Sequence, residues 1–326
     1  MNRISDLIDL CAQNKKALLY AAAVGLGTLG LGLLLKSLHK KSPRKVSQVG
    51  VVSELIIYAV KSCKGLHVQK AECLEMGLKY GELKDRHWLV ITEDGHQVTG
   101  RQEPRLVLMS VTSSDESLCL KAPDMEELNI PLKLSNKNPI VNCRVWSKDI
   151  QGRDCGDEAS LWITQYLAGE RTYRLVQFES DMKPRRHHEH GSKVVYPDDS
   201  PIMLLSEASL EDLNTRLERK ATVGNFRPSI VVSGCEAFAE DSWDEIQIGS
   251  MRLYRVMACS RCIFTTVDPE TGVIDRKEPL ETLKSYRLCD PSEKHIYKTA
   301  PLFGQYYRVD KTGILQVGDP VYKITY

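Results

Sequence analysis

The chain is short of several things at once. It has almost no net charge: 44 Lys and Arg stand against 43 Asp and Glu, leaving +1 over 326 residues. The bulk balance therefore offers nothing to draw it onto nucleic acid. It lacks a disulfide framework. Its ten cysteines are scattered, at 11, 63, 73, 119, 143, 155, 235, 259, 262 and 289, without the dense spacing of a small secreted scaffold. That pattern indicates a reducing compartment, with most of the thiols acting as small buried hydrophobes. There is no P-loop, no Ser-His-Asp array and no kinase signature, and no repeat period. Only one stretch is long and apolar enough to span a bilayer.

That stretch is "ALLYAAAVGLGTLGLGLLL", residues 17–35, about 28 Å as a helix and close to the hydrocarbon thickness of a membrane. It exceeds the apolar core of a cleaved signal peptide and is basic on both sides, so it reads as an anchor. The Lys and Arg excess at Lys36, Lys40, Lys41, Arg44 and Lys45 keeps the following domain on the cytosolic face. Asp6 and Asp9 argue against a matrix transit peptide. "GLGTLG" matches a dinucleotide-binding glycine pattern only by letter, since no strand precedes it. The expected organisation is an N-terminal segment 1–16, the anchor 17–35, a linker 36–52, and domains over 53–180 and 181–326.

The soluble part alternates short Val/Ile-rich runs with turn signals. "SELIIYAVKSC" predicts a strand ending in a loop, and "RHWLVITEDGHQVTG" a strand, an Asp-Gly turn and a second strand. "RLVLMSVTSSDESLCLKAPD" reads as a hairpin. "DEASLWITQYLAG" predicts a helix with an apolar face of Leu161, Ile163, Tyr166 and Leu167 and a glycine stop. "PIMLLSEASLEDLNTRL" is a strand and then a helix capped by Ser206, and the tail "GILQVGDPVYKITY" a closing strand pair. Strands outnumber helices, so the fold class is α+β: β-barrel-like units with peripheral helices.

The chemistry centres on "MACSRCIFTTVDPETG", where Cys259 and Cys262 form a C-x-x-C at a strand end. A structural zinc site needs a second half, and the only nearby histidines in type are His187, His188 and His190 in a charged loop. A thioredoxin-like disulfide expects a helix after the motif, whereas "IFTTVDPETG" is strand-like and then a turn. A single working thiolate, Cys262 with Arg261 beside it, remains open alongside the inert buried thiol. Three separate loops carry cations with polar partners: Lys61, Ser62 and Lys64; Arg86; and Asn225 with Arg227. Together they suit an anion pocket.

Taken in order, "IYAVKSCKG", "DRHWLVITEDG", "RQEPRLVLMS", "GRDCGDEASLWI", "LSEASLEDLN", "NFRPSIVVSG", "ACSRCIFTTVDPETG" and "PLFGQYYRVD…VGDPVY" resemble the MOSC family of molybdenum-cofactor proteins, and within it the mitochondrial amidoxime-reducing components. The resemblance spans 53–326 and extends to the anchor. It implies an N-terminal β-barrel domain followed by a MOSC domain, a molybdopterin cofactor, and Cys262 as both catalytic residue and molybdenum ligand. Carried over by motif, the cofactor contacts are Lys61, Ser62, Arg86, Ser200, Asn225, Arg227, Ser260, Arg261, Cys262 and Tyr306. Cys235 matches a family cysteine without an argued role, and Asp199 stands where a hydroxyl is expected near phosphate. The resemblance further implies reduction of N-hydroxylated compounds such as amidoximes and hydroxylamines with loss of water. Electrons would come from NADH through cytochrome b5 reductase and cytochrome b5, at the mitochondrial outer membrane with the catalytic part facing the cytosol. A sulfurtransferase carrying persulfide on Cys262 is the alternative. Such members usually follow a domain with a pyridoxal phosphate lysine, and pyridoxal phosphate binding is not expected in 326 residues. A non-catalytic cofactor carrier is the third reading.

Overall fold

The computed structural model describes residues 44–326 except 115, 170, 188 and 189. The segments 1–16 and 17–35, residues 36–43 of the linker and His188 lie outside the described residues. Among those described, no helix is long and apolar enough to cross a membrane.

Residues 46–324 form one compact unit. At its centre is a closed sheet of seven strands: β1 (Lys45–Ile57), β2 (Ile202–Ser206), β3 (Ile230–Ser233), β4 (Glu245–Ile248), β5 (Met251–Ser260), β6 (Leu302–Lys311) and β7 (Pro320–Thr325). Their order is β3-β2-β6-β5-β4-β7-β1, and β1 pairs back onto β3. That closing ladder is antiparallel, with Val51 opposite Ser233 and Leu55 opposite Ile230, and it slips between Val52 and Glu54. β2 and β3 run parallel, joined by the helix Glu207–Asn214. β1 starts inside the segment expected as a linker; it is exposed from Lys45 to Gln48 and turns into the core from Val49 onward.

The barrel interior is aliphatic and closed to water: Leu55, Leu204, Ile230, Val232, Ile246, Leu253, Tyr307 and Val321 are each at most 1% exposed. Burying one such side chain contributes roughly 1.5–3 kcal/mol. Tyr307 is tolerated there because its hydroxyl donates to the Trp243 carbonyl at 2.9 Å. Gly304 sits at φ 81° where β6 crosses β2. A Cβ there would lie 2.4 Å from Met203 Cε and 2.9 Å from the Leu204 carbonyl, so only glycine lets the strands approach.

Around the barrel lie smaller sheets. One has Ile140–Val145, Lys148–Asp154, Tyr173–Gln177 and Trp88–Thr92; another has Gly313–Gln316, Lys70–Leu74, Gly77–Tyr80 and Leu83–Lys84; a third has Ser110–Ser114, Ser117–Lys121 and Leu128–Pro131. This is the β-barrel-rich architecture with few helices that the strand count predicts. The Asp-Gly turn forms, but its second arm is only a bridge, Ile91 to Gln97. The tail strands do not pair with each other. Gly313–Gln316 joins Lys70–Leu74 and Pro320–Thr325 joins β4, because the turn held by Asp319 on the Gln316 amide carries the chain from one sheet to the other.

In the helix Asp157–Leu167 three of the four residues expected to face inward, Ile163, Tyr166 and Leu167, are buried together with Ala159 and Trp162, whereas Leu161 is 71% exposed. Spacings of three and four from Ala159 define the stripe, and Leu161 falls off it. Two polar anchors fix that rotation: Trp162 Nε1 donates to the Glu126 carbonyl at 2.7 Å and the Tyr166 hydroxyl to the Arg105 carbonyl at 2.8 Å. The left-handed stop is Ala168, one residue before the glycine. Ser206 caps its helix as expected, accepting from Ser209 N at 3.1 Å.

Candidate functional site

Strand ends and tight turns converge on one cleft. The loop after β1 brings Lys61 and Ser62; the turn before Trp88–Thr92 brings Arg86; the residues before β2 bring Ser200; the helical turn Val223–Phe226 brings Asn225 and Arg227. The end of β5 brings Ser260, Arg261 and Cys262, and β6 brings Tyr306. All ten residues singled out from the sequence line this cleft. Three of them, Ser62, Arg86 and Arg227, have φ of 70°, 48° and 56°. Non-glycine residues adopt this region only where surrounding structure enforces it.

Cations dominate the walls. Lys61, Arg86, Arg101, Arg227 and Arg261 line the cleft against one carboxylate, Asp198. At the floor, two guanidiniums flank one ring: Arg86 lies 4.4 Å and Arg227 4.1 Å from the Tyr58 centroid. Burial works against the charge of Arg86, but Asp85, 2.5 Å away and fully buried, outweighs it and keeps Arg86 protonated. Arg227 has no such partner. Burial pushes its pKa down to about 10, and its Nη2 is closed to solvent without a hydrogen bond. An orphaned guanidinium N–H in a cation-rich cleft is the arrangement that a phosphate or other multivalent anion completes.

At the rim, Lys61 Nζ donates to the Tyr196 carbonyl at 2.7 Å and pairs with Asp198. Burial lowers the Lys61 pKa, and Asp198 works the other way. Burial acts to raise Asp198, but Lys61, Arg101 and the Trp146 indole outweigh it and hold the carboxyl well below its usual range.

The two cysteines of the motif part company. Cys259 lies in β5, 2% exposed, in an apolar cluster with Met203, Phe226 and Phe303, and burial raises its pKa. Cys262 follows the strand, half-buried, and opens the 3₁₀ turn Ile263–Thr266. Both are free thiols, so the redox disulfide is not formed, although Cys259 also contributes to the cleft wall. Among the described residues no group of three His, Cys, Asp or Glu is placed to hold a metal. His187 stacks on His190 with centroids 3.9 Å apart and sits 3.5 Å from Asp199; none of these three lines the cleft. Cys262 is the half-exposed thiol available to a metal that brings its other ligands with it.

Some predicted contacts have their polar groups engaged inside the protein. Asn225 donates to the Thr265 and Val267 carbonyls at 3.0 and 3.2 Å and accepts from the Thr222 amide at 2.9 Å, tying the Arg227 turn to the segment after Cys262. Ser200 donates to the Tyr307 carbonyl at 2.7 Å. Arg261 does not turn its whole fork to the thiol: Nε reaches the Phe303 carbonyl at 2.7 Å and Nη1 the Phe226 carbonyl at 2.9 Å. Sequence reasoning missed Arg101, Asp198, Thr99 and Phe264 in the lining. Arg101 opens a stretch that carries the family resemblance, and Asp198 neighbours the Asp199 that drew notice, so both lay within reach of the pattern.

A barrel whose strand ends present a cation-rich cleft with a half-buried thiol, Cys262, is the frame for comparison with known proteins. The description "MOSC N-terminal beta barrel domain" matches residues 49–170 and "MOSC domain" matches 190–322. Curated relatives called mitochondrial amidoxime-reducing component 1 from Danio rerio, and component 2 from Bos taurus and Homo sapiens, are 56%, 61% and 55% identical. They cover 96%, 86% and 93% of this chain and 96%, 85% and 92% of their own lengths. The chain belongs to the MOSC family, in the group that carries the name mitochondrial amidoxime-reducing component.

Proposed function

We propose that the chain is a molybdopterin-dependent reductase of N-hydroxylated compounds, amidoximes and hydroxylamines among them. The observation that carries this reading is the buried, unpartnered Nη2 of Arg227 in a cleft of five cations and one carboxylate that also exposes Cys262. The donor set suits the cofactor. Arg86, Arg227 and Lys61 answer an anionic phosphate and pterin, while Ser62 and Ser260 add short polar contacts. Cys262 offers the soft thiolate that a sulfur-held molybdenum takes. When bound, the cofactor supplies the two-electron chemistry that cleaves the N–O bond.

The chain's own residues do the rest. Arg86 and Arg227 neutralise the anion without moving, since the Tyr58 ring and Asp85 already hold them. Asn225 keeps the Arg227 turn and the Cys262 segment in one geometry. Asp198 is the carboxylate among the lining residues, so it is the charged acceptor that can take a hydrogen bond from a substrate N–H or O–H.

No nucleotide motif occurs in the sequence, so an NADH site would lie on a partner; the family resemblance implies that this partner is cytochrome b5 reductase, acting through cytochrome b5. The stretch 17–35 anchors the protein in the mitochondrial outer membrane with the catalytic part in the cytosol, where a shared surface raises the partners' effective concentration.

Elemental analysis of the purified full chain, beside an assay of benzamidoxime reduction with NADH, cytochrome b5 and its reductase, tests the reading. Molybdenum equimolar with protein and NADH-dependent amidine formation are expected. Zinc in place of molybdenum, or a molybdenum-loaded protein inert in the reconstituted chain, would overturn it.

A further inference from the structure

The turn between Ile140–Val145 and Lys148–Asp154 breaks a local rule. Val145 pairs with Lys148, so Trp146 and Ser147 form a two-residue hairpin loop. The first position of such a loop usually needs φ above zero and favours Asn, Asp or Gly. Here it is tryptophan at φ 57°, and 46% of that side chain is exposed. A bulky residue held in the left-handed region, with its ring in water, points to a task beyond the turn.

The ring reaches the cleft's one carboxylate. Trp146 Nε1 donates to Asp198 Oδ1 at 2.9 Å, and the Arg101 guanidinium lies 4.3 Å from the indole centroid. Lys61 also bonds Oδ1. Among the described residues the other oxygen, Oδ2, accepts no hydrogen bond, and Arg101 Nη2 lies 3.7 Å from it. Arg101 Nε is closed to solvent and unpartnered. Asp198 is 39% exposed in its side chain. Behind it, Arg185 ties down the segment through the Val195 carbonyl at 2.9 Å and the Pro197 carbonyl. The charged and titratable groups around Asp198 are thus Lys61, Arg101, Arg185 and, from β6, Tyr306.

We propose that Trp146 is a positioning residue for substrate: with Lys61 it occupies Oδ1 of Asp198, and so leaves Oδ2 as the acceptor for an N–H or O–H of an N-hydroxylated substrate. This rests on the reductase reading of the cleft. It needs no new covalent step. Trp146 sets which oxygen is free and which way it points, and Arg101, stacked on the indole, keeps the carboxylate charged from the other side.

The discriminating variants are Trp146→Phe, which keeps a ring for Arg101 but loses the N–H, and Trp146→His, which keeps a ring N–H. In the molybdenum-loaded enzyme, Trp146→Phe should raise KM for benzamidoxime about tenfold, the worth of one charge-assisted hydrogen bond, with kcat and molybdenum content little changed. Trp146→His should recover part of that loss. The ¹³C-carboxyl NMR shift of Asp198 at neutral pH, assigned with Asp198→Asn, reads the lost indole contact without turnover. If the Asp198 signal moves while the wild type shows no reductase activity, Trp146 orients Asp198 but the reductase reading fails. If KM is unchanged in Trp146→Phe, the substrate-positioning role is overturned, whatever the Asp198 signal does.

Discussion

Arginine is used in two opposite ways in this molecule. In the sheet containing Trp88–Thr92 and Tyr173–Gln177, Arg174 bonds buried Asp154 through Nε and through Nη2, the latter at 2.9 Å, and reaches Asp157 at 2.9 Å as well. Those hydrogen bonds, Asp154 first, raise its pKa. In the cleft, Arg227 has two aromatic faces, 4.1 Å from Tyr58 and 5.5 Å from Phe264, no carboxylate, and an orphaned N–H. The first arginine closes an account within the fold; the second leaves a buried charge for something outside the chain to neutralise. Where a guanidinium is satisfied it reports stability, and where it is not it reports a ligand.

The comparison breaks most completely at the thiols. Cys262→Ala should abolish turnover in the reconstituted assay and lose the metal–sulfur bond, whereas Cys259→Ala, in the apolar cluster behind it, should keep molybdenum and most activity. Equal loss from both, measured in parallel by turnover and metal content, would restore the paired-cysteine reading.

The arginine pair comes next. Arg227→Met should weaken cofactor retention by about 2–5 kcal/mol, the cost of stripping one partner from a buried charge pair. Unfolding of the ligand-free protein should shift by less than about 1 kcal/mol, since a buried uncompensated charge is removed along with its aromatic contacts. Arg174→Met should do the reverse. Stability falls by roughly 2–3 kcal/mol as Asp154 loses its counter-charge, while cofactor stays bound. Denaturant titration and molybdenum analysis of the two variants sharpen or dissolve the contrast.

Between the two regions sits His87, one residue beyond Arg86 and 6% exposed. Burial pushes its pKa down to about 4, against the bond from its Nδ1 to the Asp85 carbonyl. The folded value lies below that of the unfolded chain, so unfolded protein takes up a proton first as the pH falls. Stability is complete above about pH 6.5 and declines toward pH 4, by as much as about 3 kcal/mol. His87→Gln should flatten this limb in urea melts across that range; an unchanged slope would place the acid sensitivity elsewhere.

The element types were legible where local pattern and burial agree: the hairpin of Ser110–Ser114 and Ser117–Lys121, the Ser206 cap, and the loops that bear Lys61, Arg86, Arg227 and Cys262. The misreadings share one cause. Leu161 looked buried because apolar spacing alone does not say which stripe of a helix meets the Glu126 and Arg105 carbonyls. The tail strands looked like partners because adjacency in sequence is the default for hairpins. Trp146 gave no local signal at all, since its role depends on Asp198, which lies 52 residues away.

By itself, the sequence determined a β-rich chain, an apolar stretch at 17–35, the cation-bearing loops and the family. Period, turn chemistry and motif order are local properties, written residue by residue. Only the tertiary structure decided that β1 closes the barrel against β3, that the Arg227 Nη2 is closed off without a hydrogen bond while Arg174 is paired, and that Asp198 turns one oxygen to Lys61 and Trp146. Each of these is a balance of desolvation against partners brought from distant parts of the chain, and no local pattern encodes which groups will meet.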